Sequence, residues 1–452
     1  MKKNKVILFC PGYEGMSTYH WFPFPYLYIG PFLEQAGYEV KIVDARVEPD
    51  WENILRKSLT NALCLGITAM TGPDLRDAIK AVKICRKVDS QLPVIWGGPH
   101  AMADPEQTIK SDYVDIVVCG QGEQVLVEIA RRISNNKHYN DIQGIAYKKN
   151  DTVYKNNSSN IVPFDHGIFP GYHLIDIEKY RSENNVVSIF TARGCPYRCS
   201  FCTTGKKSYC ERTLDQVEKE ILFLVKKWNF KNIFIQDGTY FFKKKRVMEL
   251  AKWIIDSGLE IKWKAKARAD SLLKYSDQEL SILKKSGVVS IFIGLESGSD
   301  RVLKRMRKGN NVVHAEKTAK ICHELELELY TSFMFCTPFE TIADLMDTIN
   351  HIKELKKNNP KIVVQNCIYL PLPGTPMYDQ ACNCGYNPPS TLEDWMKRNI
   401  SSRFEERNDI TWIPSNIFED YIKIYNKEFG VYKHLWEKER DKEYVSVFKE
   451  QS

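Results

Sequence analysis

No stretch of this 452-residue chain reaches the eighteen or so uninterrupted apolar residues that a membrane span requires. Its opening, MKKNKVILFC, lacks the cleavable apolar region of a secretory signal, so a cytoplasmic location is expected. A strong charge of one sign is missing too: 64 basic residues face 57 acidic ones, for a net charge of +7. Lysines scattered along helices give no case for nucleic acid as a partner. Thirteen cysteines are an odd number. In a large chain without an export signal they read as thiols or metal ligands, not as a disulfide framework. With 43% hydrophobic and 27% charged residues the composition is that of a globular protein. The length is roughly two to three times that of a usual domain.

Apolar runs then alternate with amphipathic ones. KVILFC (5–10), EVKIVDA (39–45), ALCLGIT (62–68), PVIWGG (93–98) and DIVVCG (115–120) read as five strands separated by helices. That alternation predicts a parallel sheet wound on both faces, a Rossmann-like α/β domain over 1–140. Ligands of such sheets bind beyond the carboxyl ends of the strands. GIAYKKNDTVYKN (144–156) predicts a hairpin with an Asn-Asp turn, and the polar NNSSN after it marks a linker within 141–185. A second series follows: VVSIFTAR (186–193), NIFIQD (232–237), IKWKAKA (261–267), VSIFIGL (289–295), LYTSFMF (329–335) and IVVQNCIYL (362–370). Six strands with intervening helices predict a partial (β/α)6 barrel of the TIM type over 186–385, followed by a mainly helical region at 386–452. Between the first two of these strands, Thr213 and Gln216 form a capping-box pattern before a helix whose apolar face carries Leu214, Val217, Ile221, Leu224 and Trp228.

The sharpest local feature is ARGCPYRCSFC, in which Cys195, Cys199 and Cys202 are spaced C-x3-C-x2-C after an apolar strand. Three thiolates in a Gly/Pro-containing loop can hold a [4Fe–4S] cluster and leave one iron open to a small molecule. A zinc site with a fourth ligand elsewhere, or three unconnected thiols, would use the same residues. Zinc structural sites usually come as two pairs, and no second C-x2-C pair exists here, Cys382 and Cys384 being one residue apart.

With Phe201 immediately before the last cysteine, this motif resembles that of the radical S-adenosylmethionine (SAM) superfamily, over about residues 186–380. The resemblance implies a [4Fe–4S] cluster on the three cysteines and SAM chelated to the open iron. It also implies an electron from an external reductant of flavodoxin or ferredoxin type. Gln236 and Asp237, before Gly238, end the second strand of the series, where the family places a motif near the SAM amino group. Arg268, in KARAD, stands where a guanidinium could meet the SAM carboxylate or ribose, and Glu296 and Ser297, in GLESGS, where similar enzymes hold the ribose or amino-acid part. On charge alone Asp237 could be a turn residue, and Arg268 and Glu296 solvated loop charges. TPFET (337–341) and LPLPGTPMY (370–378) resemble later signatures of the same enzymes.

In front of such a barrel, the first domain resembles the corrinoid-binding domain of the cobalamin-dependent subclass. GITAMTG (66–72), WGGPHAMADPE (96–106) and CGQGE (119–123) carry that likeness. It implies cobalamin near Gly12, Thr68, Met70, Thr71, Gly97, Gly98, His100, Gly120, Gly122 and Glu123. The D-x-H-x-x-G sequence that supplies a histidine to cobalt in many corrinoid proteins is absent, so the lower face of cobalt is expected to lack a histidine ligand. A degenerate Rossmann-like module that recognises substrate or partner would have the same strand pattern. RNA-modifying methylthiotransferases also precede their barrel with a domain, one carrying three further cluster cysteines. Here Cys10, Cys64, Cys85 and Cys119 are dispersed, as buried small hydrophobes would be.

The activity so implied is methyl transfer from SAM, via methylcobalamin, to an unactivated carbon, less favourably phosphorus, of a small metabolite or peptide. The catalytic alternative is cyclisation or rearrangement, as in the anaerobic porphyrin cyclases. The non-enzymatic one is a cobalamin-binding sensor or cluster carrier.

Overall fold

The computed structural model describes residues 3–12, 21–157, 164, 167–205, 208–398, 407 and 409–429. Part of the NNSSN linker, residues 17–20 of the aromatic run STYHWFPFPYLY and the tail beyond 429 lie outside the described residues. Two compact units result, Met1–Arg181 with Pro388–Asn399, and Ser182–Asn387 with Ile400–Ser452.

The first unit is built on a seven-stranded sheet. β1 (Lys5–Cys10), β2 (Glu39–Asp44), β3 (Ala62–Thr68), β4 (Val94–Gly97) and β5 (Ile116–Val118) are parallel, and β6 (Ile145–Lys149) and β7 (Thr152–Lys155) extend it antiparallel in the order β2-β1-β3-β4-β5-β6-β7. Helices cover both faces, which is why β1 from Val6 to Cys10 and β3 from Ala62 to Ile67 are buried without alternation. The expected hairpin is β6–β7, and Asn150 (φ 50°) and Asp151 (φ 60°) supply the left-handed pair that a tight primed turn needs. Helix Leu392–Lys397 belongs to this unit. Leu392 and Trp395 enter its core, and the Trp395 indole N–H donates to Gln107 at 2.6 Å.

The second unit holds six parallel strands in sequential order: β8 (Val186–Ile189), then, after the two-residue ribbon strands β9 (Ala192–Arg193) and β10 (Cys210–Glu211), β11 (Asn232–Ile235), β12 (Lys262–Ala267), β13 (Val288–Glu296), β14 (Glu328–Phe335) and β15 (Val363–Ile368). Helices follow each in turn, giving the open (β/α)6 barrel that the pattern predicted. Alternate residues face those helices: Phe333 meets His351, and Phe335 meets Tyr425 and Phe429 of helix Ser415–Phe429. The intervening residues line the inner face. Thr213 caps helix Leu214–Leu222, accepting from Gln216 N at 3.4 Å, and Val217 and Ile221, with Leu224 in the wider turn Phe223–Lys227 that continues it, form the buried stripe.

Candidate active site

The cysteine loop begins at Gly194, whose φ of +74° turns the chain out of β9. It closes at Gly205, where a Cβ would stand 2.5 Å from the Tyr197 carbonyl. Gly238, just past β11, lets that loop lie close, because a Cβ there would come within 3.2 Å of the Gly194 carbonyl and 3.6 Å of Cys195 Cβ. Cys195, Cys199 and Cys202 are free thiols of intermediate exposure. Burial pushes the Cys195 and Cys199 thiols up. Arg268 pulls both down, Lys308 pulls Cys199 down, Cys202 and Cys199 raise Cys195, and Cys202 raises Cys199. The three thiols therefore share one neighbourhood beside two cations, whose pull toward the thiolate partly offsets the effect of burial. Among the described residues no three side chains converge on a single ion. A cluster does not require them to, since each thiolate binds its own iron.

Around this loop the structure gathers three of the residues expected at SAM, Phe201, Arg268 and Glu296. The Arg268 guanidinium carbon lies 3.8 Å from the Tyr197 ring centroid, and its NH2 donates to the Lys308 carbonyl at 2.5 Å. Lys308 donates to Glu296 at 2.8 Å, with both side chains buried, and its ammonium is 5.6 Å from the Phe201 ring. Glu296 has φ +71°, at a register shift between β13 and β14 that aims its carboxylate back at Lys308. Two residues past Lys308 the side-chain amide of Asn310 is shielded from solvent, and neither its N nor its O has a partner among the described residues. Two cations, a carboxylate and an amide that can both donate and accept fit the amino-acid end of SAM. Tyr197, Lys308 and Asn310 were not singled out in the sequence. A turn-forming RKGN stretch between two helices carries no signal of its own for Lys308.

Other expected residues are placed differently. Gln236 faces the inner wall, its Nε2 3.5 Å from Ser188 Oγ. Ser297 accepts from Ser299 N at 3.1 Å and meets Thr348 Oγ1 at 3.1 Å, pinning its turn to helix Ile342–Asn358. Asp237 is buried and gives its oxygens to the chain entering the cysteine loop. It accepts from Thr191 N (2.7 Å), Ala192 N (3.0 Å) and Thr191 Oγ1 (2.5 Å). Burial pushes its pKa up to about 6, against these hydrogen bonds. A raised carboxyl pKa means that ionisation disfavours the folded state, so its contribution falls as pH rises from about 4 to 6 and is flat above. Asp237→Asn, which keeps an acceptor for both N–H groups, is expected to remove that slope and to bind SAM as the parent does. Asp237→Ala is expected to lose about 2–4 kcal/mol by orphaning both donors. Urea melts between pH 4 and 8 and SAM equilibrium dialysis check this. Tenfold weaker SAM binding by Asp237→Asn would put the carboxylate at the SAM ammonium instead.

In the first unit the carboxyl ends of β1, β3, β4 and β5 bring Gly12, Thr68, Gly97, Gly98, Gly120 and Gly122 to one edge of the sheet. Gly98 (φ +86°) is required there, since a Cβ would meet Thr68 Oγ1 at 2.3 Å. Thr68 N donates to the Tyr26 hydroxyl at 2.7 Å, and that hydroxyl also donates to the Phe9 carbonyl, so Tyr26 bridges β1 and β3. Met70 stands 52% exposed at the tip of the next loop. His100 lies wholly in the interior, its Nδ1 3.1 Å from Thr71 Oγ1 and its ring against Trp395. Burial lowers its pKa to about 4. Glu123 is buried at the start of helix Glu123–Ser134. An edge of small residues with a projecting apolar side chain, and with its histidine turned into the core, fits a flat macrocycle that takes no imidazole from it.

A doubly wound domain with this edge, and an open barrel crowned by three thiols and paired cations, define a two-cofactor α/β enzyme. Residues 15–130 match the B12 binding domain and residues 189–352 the Radical SAM superfamily. The chain thus joins a B12 binding domain to a Radical SAM domain, the pairing found in cobalamin-binding radical SAM enzymes, and the cofactors these domains take are a [4Fe–4S] cluster, SAM and cobalamin. An uncharacterized methyltransferase of Pyrococcus horikoshii is 28% identical over 77% of this chain and 76% of its own length. The anaerobic magnesium-protoporphyrin IX monomethyl ester cyclase of Rubrivivax gelatinosus is 24% identical over 98% of this chain and 82% of its own. Among solved structures, the radical SAM methyltransferase TsrM from Kitasatospora setae, with cobalamin and [4Fe-4S] cluster bound, superposes with a TM-score of 0.70. That match has 19% identity and covers 85% of this chain and 76% of that one. No helix among the described residues is long and apolar enough to cross a membrane.

Proposed function

We propose that the protein transfers a methyl group from SAM to an unactivated carbon, with phosphorus the less favoured acceptor, of a small molecule or peptide. When bound, the cluster supplies the electron that splits the sulfonium of SAM, and the corrinoid supplies a metal centre able to take up and hand on methyl. The observation that carries the reading is the gathering of Arg268, Glu296 and Lys308 about the cysteine loop in a chain that also has a B12 binding domain. Arg268 and Lys308 would hold the SAM carboxylate, Glu296 its ammonium or ribose, and Asn310 either end by its amide. Tyr197 and Phe201 cover those charges with aromatic faces and keep water from them. An external one-electron reductant of flavodoxin or ferredoxin type completes the set.

Ring cyclisation is the second reading, supported by the cyclase relative that spans nearly the whole chain. Anaerobic reconstitution with iron, sulfide and hydroxocobalamin is expected to leave about four irons and one cobalt per chain after desalting. With trideuteriomethyl SAM, a product carrying the label supports methyl transfer, and an unlabelled product of altered mass supports cyclisation. Formation of neither 5′-deoxyadenosine nor S-adenosylhomocysteine would return the protein to a sensor or carrier.

A further inference from the structure

Lys264, Lys266 and Arg268 alternate along β12 and just past it, so all three cations are on one face of the strand. It is the inner face, because Trp263, of the opposite parity and just before Lys264, donates to Ser286, at the end of the outer helix Asp277–Lys285. Lys264 lies in the field of Glu328, a carboxylate also held by Ser290 at 3.3 Å. Arg268 is matched by Asp270 at 3.2 Å. Lys266, the middle cation, forms no ion pair with a carboxylate among the described residues. Its ammonium is 5.7 Å from the Phe234 ring centroid, and its register neighbour on β13 is Phe292. Asp237 is the carboxylate whose charge reaches it, and that group is held by Thr191 and Ala192.

Lys266 is half-buried, and an ammonium partly withdrawn from water and offered mainly a ring face is incompletely compensated. Burial lowers its pKa, as expected of a cation with no close counter-ion. The rung around it can nevertheless bind polar groups: Gln236, one residue past the registered pair Ile235–Ala265, flanks it, and Tyr330 follows Phe292 on β14. We infer that Lys266 receives a carboxylate or phosphate oxyanion that enters the barrel with the substrate. The inference rests on the reading of the chain as a small-molecule enzyme and narrows its substrates to those bearing such an anion. Along the strand Lys266 is about 6.6 Å from Arg268, one rung deeper. The anion it takes is therefore a second one, apart from the SAM carboxylate expected at Arg268.

The test uses reconstituted holoenzyme with counted iron and cobalt and saturating SAM. It is melted in acetate or inorganic phosphate against chloride of equal ionic strength. The parent is expected to gain about 5 °C in Tm at an anion concentration a hundred times its Kd. Lys266→Met is expected to lose that response and, without anion, to melt no lower than the parent, since the charge it removes is uncompensated. Lys266→Arg should retain part of the response. Equal responses in the parent and Lys266→Met, or none in the parent, would overturn the inference. So would a Lys266→Met that melts well below the parent while Lys266→Arg does not, because the charge would then be structural. Tenfold weaker SAM binding by Lys266→Met would assign the lysine to the SAM carboxylate and overturn the substrate role. Loss of cobalt or iron with the anion response intact would sink the proposed function and leave the anion site standing.

Discussion

Cys199→Ala is expected to keep cobalt and lose iron. Two remaining thiolates cannot hold a four-iron cluster that already has only three protein ligands, so the count should fall from about four irons to fewer than about one. The fold should survive, because Cys199 is a loop thiol of intermediate exposure whose removal opens no core cavity, and its stability change should stay within about 1 kcal/mol. Reductive cleavage of SAM should disappear with the iron. Cys384→Ala is the matched control: this thiol is exposed, on the far side of helix Pro376–Asn383 in sequence, and its loss should change neither metal. Iron and sulfide analysis with the low-temperature EPR spectrum of the reduced protein checks both. Four irons retained in Cys199→Ala would move the cluster to other cysteines.

What the sequence revealed was what local pattern determines. The strands of both parallel sheets stand out because elements buried on two faces need continuous apolar runs. The cysteine loop is legible because its ligands are seven residues apart at most. Pairings set by tertiary structure were not legible. Asp237 follows a strand, where a ligand-facing carboxylate and a structural one have the same sequence, and only the approach of Thr191 and Ala192, from the chain between β8 and the cysteine loop, shows what its oxygens hold. His100 has the same ambiguity. Its motif puts it at the edge of the first sheet, but Trp395, nearly three hundred residues later, packs against its ring and forms part of the same core. Helix Leu392–Lys397 carries no periodicity that would assign it to one unit or the other. The ladder of Lys264, Lys266 and Arg268 was present as a period-two pattern, but charges repeated on a strand ordinarily mark a solvated face, and only the curled register of the open six-stranded barrel turns that face inward.

Lys308 is where the structure adds most to the site, and its removal is the second large effect expected. Lys308 and Glu296 are about 9 and 10% exposed and 2.8 Å apart. In such surroundings the attraction between two charges roughly offsets their desolvation, but the loss of one partner leaves the other charged and unpaired, at about 3–5 kcal/mol. Lys308→Met should therefore lower Tm by roughly 10 °C. The carboxylate left behind sits on a backbone already held at φ +71°, which gives it little freedom to turn to water. The double variant Lys308→Met with Glu296→Gln should recover most of the loss, because neither charge is then buried alone. Both variants should bind SAM at least tenfold more weakly, the single one through the missing cation and the double one through both groups. Thermal melts and SAM dialysis on the four corners of this cycle separate the two roles. Additive melting losses would show that the ion pair contributes nothing to the fold. Unchanged SAM binding throughout would show that the pair is structural and that Arg268 alone meets the SAM carboxylate.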